Sequence, residues 1–192
     1  MRFVQYSLLE PTWPDSGQNI IAYQEDDHIV VYQAYKPEIA DYTIKNQRLG
    51  GPGYNPARMS WIKPNFLWMM YRSGWANKTN QERILAFYIK KSIFEEIVSH
   101  GVLSHYDETI DQTKEIWEEK IKNSEVRIQW DPDHDPTGQR HPKRRAIQIG
   151  LKGKTLEKFC NEWITKIEDI TEFVVKQREN RDPLIPHETI LC

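Results

Sequence analysis

The chain has 192 residues, 39% of them hydrophobic and 28% charged, with a formal net charge of −2. That length suits one domain whose core needs no disulfide or metal staple, and the composition excludes disorder. The near-even charge balance excludes a global pull toward nucleic acid or an anionic membrane, so such a partner must be met by a local patch.

Cys160 and Cys192 are too few for a disulfide framework and read as one buried and one tail thiol of a reduced intracellular protein. "MRFVQYSLLEPTW" lacks an apolar run with a cleavage site, and no window approaches a membrane span. The expectation is a cytoplasmic protein with no membrane partner. Residues 1–180 are expected to form one globular domain, with 181–192 as a C-terminal tail. The sequence sets no oligomeric state.

In chain order, "NIIAY" (19–23) and "HIVVYQA" (28–34) read as β-branched strands joined by the turn "QEDD". Pro37 starts a helix through "PEIADYTIKNQR", whose buried face carries Ile39, Ala40, Thr43 and Ile44 and which Gly50-Gly51 ends. "RMSWIKPNFLWMMYRSGW" (58–75) follows, with three tryptophans spaced seven apart. Pro64 and Gly74 forbid one continuous helix, and Asn65 is a natural N-cap for the short apolar helix "FLWMMYRS". Trp68 belongs to the core on this reading. Trp61 and Trp75 flank the helix beside basic residues, where a ligand can be met.

"RILAFYIK" (83–90) is a central strand, and Ser92 with Glu95 suggests a capping box for "IFEEIVSH", closed by Gly101. An acidic helix is expected near 112–122. "EVRIQW" (125–130) and "RRAIQIGL" (144–151) are strands joined by the polar loop "DPDHDPTGQRHPK". A last helix over 154–177 places Leu156, Phe159, Trp163, Ile167, Ile170 and Val174 on one face. Strands and helices do not alternate strictly. The expected class is α+β, a single domain of mixed or antiparallel strands flanked by helices.

Several chemistries are excluded by spacing. "DPDHDP" resembles a calcium loop for three positions, but Pro136 and Pro142 break the pattern, leaving a solvated turn as the reading for Asp131, Asp133 and Asp135. The six histidines and two cysteines show no zinc spacing, so no metal is expected. There is no Walker loop, no GxGxxG after a strand and no GxSxG elbow. His105 and Tyr106 in "LSHYD" read as structural hydrogen-bonding groups.

What remains is a set of basic, aromatic and amide side chains. Gln33 and Gln148 lie inside otherwise apolar strands, where an amide is expensive unless satisfied. Basic residues flank both: Lys36, after Tyr35, follows one, and Arg144 and Arg145 precede the other. Arg58, Ser60, Trp61, Lys63, Arg72 and Trp75 complete the candidate set. Three cations among tryptophans need either anionic partners or a cleft for their charged heads, so Arg58, Lys63 and Arg72 are expected to line one pocket with Gln148.

The stretches "VYQAYKPEIA", "RMSWIKPNFLWMMYRSGW", "LSHYD", "VRIQWDP", "AIQIGL" and "EWITKIEDIT" resemble the domain-of-unknown-function family DUF4291, over nearly the whole chain. The order of elements also resembles, more distantly, ADP-ribosyltransferase-like domains: a first strand, a helix ending in glycine, and a late strand that carries an acid. This chain has Gln33 where such enzymes usually have His or Arg, and Gln148 where they have Glu. That resemblance implies an ADP-ribosyltransferase-like enzyme with NAD as candidate cofactor, Gln148, Arg145 and Gln33 as catalytic candidates, and a dinucleotide or nucleic-acid end as substrate. The related RNA 2′-phosphotransferases use a basic cluster, for which Arg58, Arg72 and Arg145 are the counterparts. The alternative is a non-catalytic nucleotide- or nucleic-acid-binding module using the same wall, with Trp61 or Trp75 stacking a base.

Overall fold

The computed structural model describes residues 1–191; the expected tail thiol, Cys192, lies outside them. The chain opens with β1 (Phe3–Gln5), a single turn α1 (Tyr6–Leu9) and β2 (Gly17–Gln18). β3 (Ile21–Glu25) and β4 (His28–Tyr35) form the expected hairpin, with Asp26 left-handed at φ 52 in its turn. α2 (Pro37–Asn46), β5 (Ser60–Ile62), α3 (Phe66–Ser73), β6 (Arg83–Lys90), α4 (Lys91–Ser99), β7 (Val102–Leu103) and α5 (Lys114–Asn123) follow. The last third contains β8 (Val126–His134), β9 (Arg140–Leu151), α6 (Gly153–Lys158), β10 (Ile164–Asp169), α7 (Thr171–Gln177), β11 (Leu184–Pro186) and β12 (Glu188–Ile190).

Two sheets carry the architecture, which is α+β. The first is antiparallel in the order β10-β6-β4-β3-β12, with β4 and β6 paired along their whole length. The second is mixed in the order β2-β9-β8-β7, with β5 also paired to β9. β1 and β11 form a separate ribbon.

The first sheet is buried on both faces. Ile29, Val31, Leu85, Phe87 and Ile89 pack with α2, α4 and the apolar face of the second sheet. Val30, Tyr32, Ile84, Ala86 and Tyr88 pack with α3, α7, Leu9 and Trp13. A strand covered on both sides reads as an unbroken apolar run, which is why "ILAFYI" shows no polar position. The second sheet is different. Val126, Ile128, Ile147, Ile149 and Leu151 enter the core, while the intervening Gln129, Asp131 and Gln148 turn to its opposite, half-buried face.

Five expectations are corrected. The helix over 154–177 is instead α6, a π turn over Phe159–Trp163, the strand β10 and α7. Its apolar spacing fits a helix, but β-branched Ile164, Thr165 and Ile167 suit a strand, and the edge of β6 offers them backbone partners. The polar loop after Trp130 is mostly strand: β8 runs on to His134, and β9 begins at Arg140. Only 135–139 turn, where Asp135 Oδ1 accepts from the backbone nitrogens of Thr137 and Gln139. α4 starts at Lys91 without a side-chain cap, because the Lys91 backbone nitrogen donates to the Asp27 carbonyl at 2.8 Å. α2 ends at Gln47, left-handed at φ 48, whose side chain exchanges hydrogen bonds with the backbone of Ile167. The segment from 181 is not a loose tail: β11 pairs with β1, and β12 completes the edge of the first sheet beside β3.

Asn65 caps α3 as expected, its Oδ1 accepting from the Trp68 backbone nitrogen at 2.7 Å, and Gly74 closes the helix at φ 58. Glu188 adds a second tie. Fully buried on β12, it accepts from the Phe66 backbone nitrogen at 2.7 Å. Burial holds its carboxyl well above the usual carboxylate range. No helix among the described residues is long and apolar enough to cross a membrane.

Two outcomes follow for stability. Trp68 is buried against Tyr71 and His134, so Trp68→Ala should destabilise by about 3–5 kcal/mol in chemical denaturation. Because the folded carboxyl of Glu188 titrates above its ordinary 4.5, the stability it contributes is fully present below that pH and is lost as pH rises toward the folded value. Glu188→Gln should keep the bond to Phe66 and remove that loss, so its advantage over the natural protein should grow from pH 4.5 upward. A constant difference across pH would show that Glu188 is ionised in the fold.

Candidate functional site

The stretch 58–75 is core on one side and site wall on the other. β5 pairs with β9 through Ser60, Trp61 and Ile62, and the next residue leaves for the other sheet. Lys63 exchanges two backbone hydrogen bonds with Tyr32 of β4, at 2.7 and 3.2 Å. Pro64 then ends the strand and α3 turns away behind it. A cleft of about 360 Å³ opens at this crossing, lined by Gln33, Ala34, Tyr35, Arg58, Met59, Ser60, Trp61, Lys63, Met69, Arg72, Gln81 and Gln148.

The structure thus brings Gln33, Tyr35, Arg58, Ser60, Trp61, Lys63, Arg72 and Gln148 together. Three expected members lie elsewhere. Lys36 precedes α2, near Glu38 at 3.9 Å and against Gly53. Trp75 is left-handed at φ 54, donates its indole hydrogen to the Pro136 carbonyl, and accepts from Arg178 through its own carbonyl. It packs edge-on against Phe66 and is a structural residue. Arg145 is one strand position out of phase: alternation puts it on the face of β9 shared with Ile147 and Ile149, opposite Gln148. Its neighbour Arg144 is buried in ion pairs with Asp133 at 2.6 Å and Glu10 at 3.1 Å, over the Trp13 ring, so it does not reach a cleft.

Both amides are satisfied, and each in a way that fixes its direction. Gln33 Nε2 donates to Ser60 Oγ at 2.7 Å and to the Trp61 carbonyl at 3.2 Å, while its Oε1 accepts from the Tyr35 hydroxyl at 3.0 Å. Burial raises the Tyr35 hydroxyl far above its ordinary range, so it remains a donor. Gln148 Nε2 donates to Asp131 Oδ2 at 2.7 Å, and Gln129, directly opposite on β8, donates to Asp131 Oδ1 at 2.8 Å. Asp131 is the carboxylate that sequence reasoning missed by reading "DPDHDP" as a solvated turn. The signal for it was the alternation of "IQWDP" continuing past Trp130.

The electrostatics set this cleft apart. Arg58 and Arg72 are exposed and Lys63 is only 5% exposed, yet none of the three has a carboxylate within ion-pair distance among the described residues. Glu82, the carboxylate near enough in sequence to neutralise Arg72, accepts instead from the Asn80 backbone. Lys63 Nζ has one hydrogen bond, to the Trp61 carbonyl at 3.2 Å. Burial and the nearby charge of Arg72 lower its pKa from 10.5 to about 8, against a smaller pull upward from Asp131.

A wider concavity of about 750 Å³ lies between the loop after α2 and α6, with Tyr54 and Cys160 on its wall. Burial pushes the Cys160 thiol up, and the cations lining the concavity, Arg48 and Lys154, share it with the carboxylates of Glu125 and Glu157. Among the described residues no group of three His, Cys, Asp or Glu side chains is placed to hold a metal ion.

Fold and site together define an α+β protein with an unneutralised cationic cleft at the seam of two sheets. A family model described as a domain of unknown function, DUF4291, matches residues 19–187, and the chain belongs to that family. Comparison with curated proteins finds no match.

A buried, unpaired ammonium destabilises the fold that holds it. Lys63→Met keeps the stem volume, and the Trp61 carbonyl keeps its bond from Gln33. The variant should therefore be more stable than the natural protein in urea denaturation, by about 1–3 kcal/mol, the order for burying an unpaired polar group. A loss of stability would mean that the ammonium is a structural group.

Proposed function

We propose that the cleft binds a nucleotide, with its phosphate on Arg58, Lys63 and Arg72 and its base or nicotinamide against Trp61. One observation carries this reading: three cations converge without a carboxylate partner, one of them buried at the expense of its own protonation. Guanidinium groups meet phosphate oxygens in a fork, and a half-buried indole offers a flat face to a base. Gln33 and Gln148 have their amide nitrogens tied to protein acceptors, which aims the remaining lone pairs of their carbonyl oxygens at ribose hydroxyls or an amide.

Thermal shift against NAD, ATP, short RNA and short DNA tests the reading, since a ligand at about 100 times its Kd adds roughly 2.7 kcal/mol of stability. Arg72→Ala should weaken the ligand that binds by about 1.5–3 kcal/mol, the range for a charged hydrogen bond, with the fold intact. Trp61→Ala should weaken a base-bearing ligand by about 1–3 kcal/mol. Unchanged binding in both variants would remove the cleft from consideration.

Asp131 favours a second, catalytic reading of ADP-ribosyltransferase-like character. It holds the side chain of Gln148, which stands where the resemblance puts the late-strand acid. On this reading the bond between ribose C1′ and the nicotinamide nitrogen of NAD breaks, nicotinamide leaves with the bonding pair, and an acceptor adds to C1′ with loss of its proton. Release of nicotinamide from NAD, abolished in Asp131→Asn, is the expected result. Stable NAD binding without release would leave the binding module alone.

A further inference from the structure

Lys63 is over-provided for if its only task is to hold a phosphate. A phosphate-binding lysine works best fully charged, whereas this ammonium is buried, has a single carbonyl acceptor, and lies under the field of Arg72. The same surroundings suit an amine nucleophile, which must be unprotonated to act: desolvation and a neighbouring cation are the two means by which proteins activate lysine. Arg58, Arg72 and Lys63 line one cleft, the two arginines exposed and the lysine buried, so a phosphate on the guanidinium groups leaves Lys63 to meet the rest of the molecule.

We propose that Lys63 Nζ is a nucleophile that forms an imine with the aldehyde of a phosphorylated sugar, either free ribose 5-phosphate or the same unit within ADP-ribose. The assignment rests on the phosphate-binding reading of the cleft, with the phosphate held by Arg58 and Arg72 and Lys63 left to react. The Nζ lone pair attacks C1 of the open-chain sugar to give a carbinolamine. Nitrogen then loses a proton, the hydroxyl is protonated and leaves as water, and a protonated imine remains. No oxidant or reductant is consumed. The carbonyl oxygens of Gln33 and Gln148 are the acceptors for the sugar hydroxyls. Burial and the charge of Arg72 leave more of Lys63 unprotonated at pH 7 than of an exposed lysine.

The experiment mixes the full chain with ribose 5-phosphate, ADP-ribose or plain ribose, traps imines with cyanoborohydride, and maps adducts by peptide mass spectrometry. The expected result is an adduct on Lys63 at pH 7, formed at least about tenfold faster than on any exposed lysine. Faster trapping by ADP-ribose assigns the larger ligand, and faster trapping by ribose 5-phosphate the smaller. Lys63→Arg should form no adduct at the site. Arg72→Gln removes a phosphate contact and the charge beside Lys63, so it should slow labelling by the phosphorylated sugars and move the pH midpoint of labelling upward. Adducts confined to exposed lysines, while a nucleotide still stabilises the protein, would overturn the nucleophile and spare the cleft. Equal labelling of Lys63 by ribose and by its 5-phosphate would keep the reactive amine and overturn both the phosphorylated substrate and the phosphate reading.

Discussion

Everything at the site depends on the backbone exchange between Tyr32 and Lys63. It joins the two sheets at one point: the chain pairs with β9 for three residues, gives two hydrogen bonds to β4, and is stopped by Pro64. Each sheet alone presents an ordinary edge there. Joined, they enclose an opening with Gln33 from one sheet, Gln148 from the other, and the crossing segment between. At this crossing the Lys63 side chain is buried and its Nζ donates to the Trp61 carbonyl. The capped α3 behind it, held by Asn65 and by Glu188, keeps Arg72 over the same opening.

The fold treats its cations in two ways. Arg144 is enclosed with Asp133, Glu10, the Pro14 carbonyl and the Trp13 ring, which together return what desolvation removes. It ties β9 to the irregular N-terminal segment. Arg83, the first residue of β6 and paired with Tyr35 at the end of β4, is likewise matched by Asp41 and Asp169. Lys63, Arg58 and Arg72 receive no such compensation. Arg144 and Arg83 are each matched by two carboxylates, whereas Lys63, more deeply buried than Arg83, has only the Trp61 carbonyl.

The half-buried face of the second sheet extends the same logic. Its apolar side is spent on the shared core, so Gln129, Asp131 and Gln148 are free to form a polar network on the other. One carboxylate accepts from both amides, which fixes two side chains of high rotamer freedom, of which Gln148 lines the cleft. Gly150 permits this crowding: a Cβ there would sit 2.6 Å from Met59 Sδ and 3.1 Å from Trp61.

Local physics was enough for the hairpin, α3 with its Asn65 cap, the central β6 and the α+β class, because turn chemistry, capping and unbroken apolar runs act over a few residues. It was enough, too, to place Arg58, Lys63, Arg72 and Gln148 in one group, since the cost of burying unpaired cations holds in any fold. The sequence by itself did not determine β10, because an apolar spacing that fits a helix equally fits a strand when a neighbouring edge supplies the hydrogen bonds. Nor did it distinguish Arg144 from Arg145, or Trp61 from Trp75. Those pairs are alike in type and surroundings along the chain, and only strand phase, the left-handed turn at Trp75 and the distant partners Glu10 and Arg178 separate them. The site's chemistry was written in its residues; which of them meet was decided by the crossing of β5 between two sheets, an event of long-range pairing that no local propensity encodes.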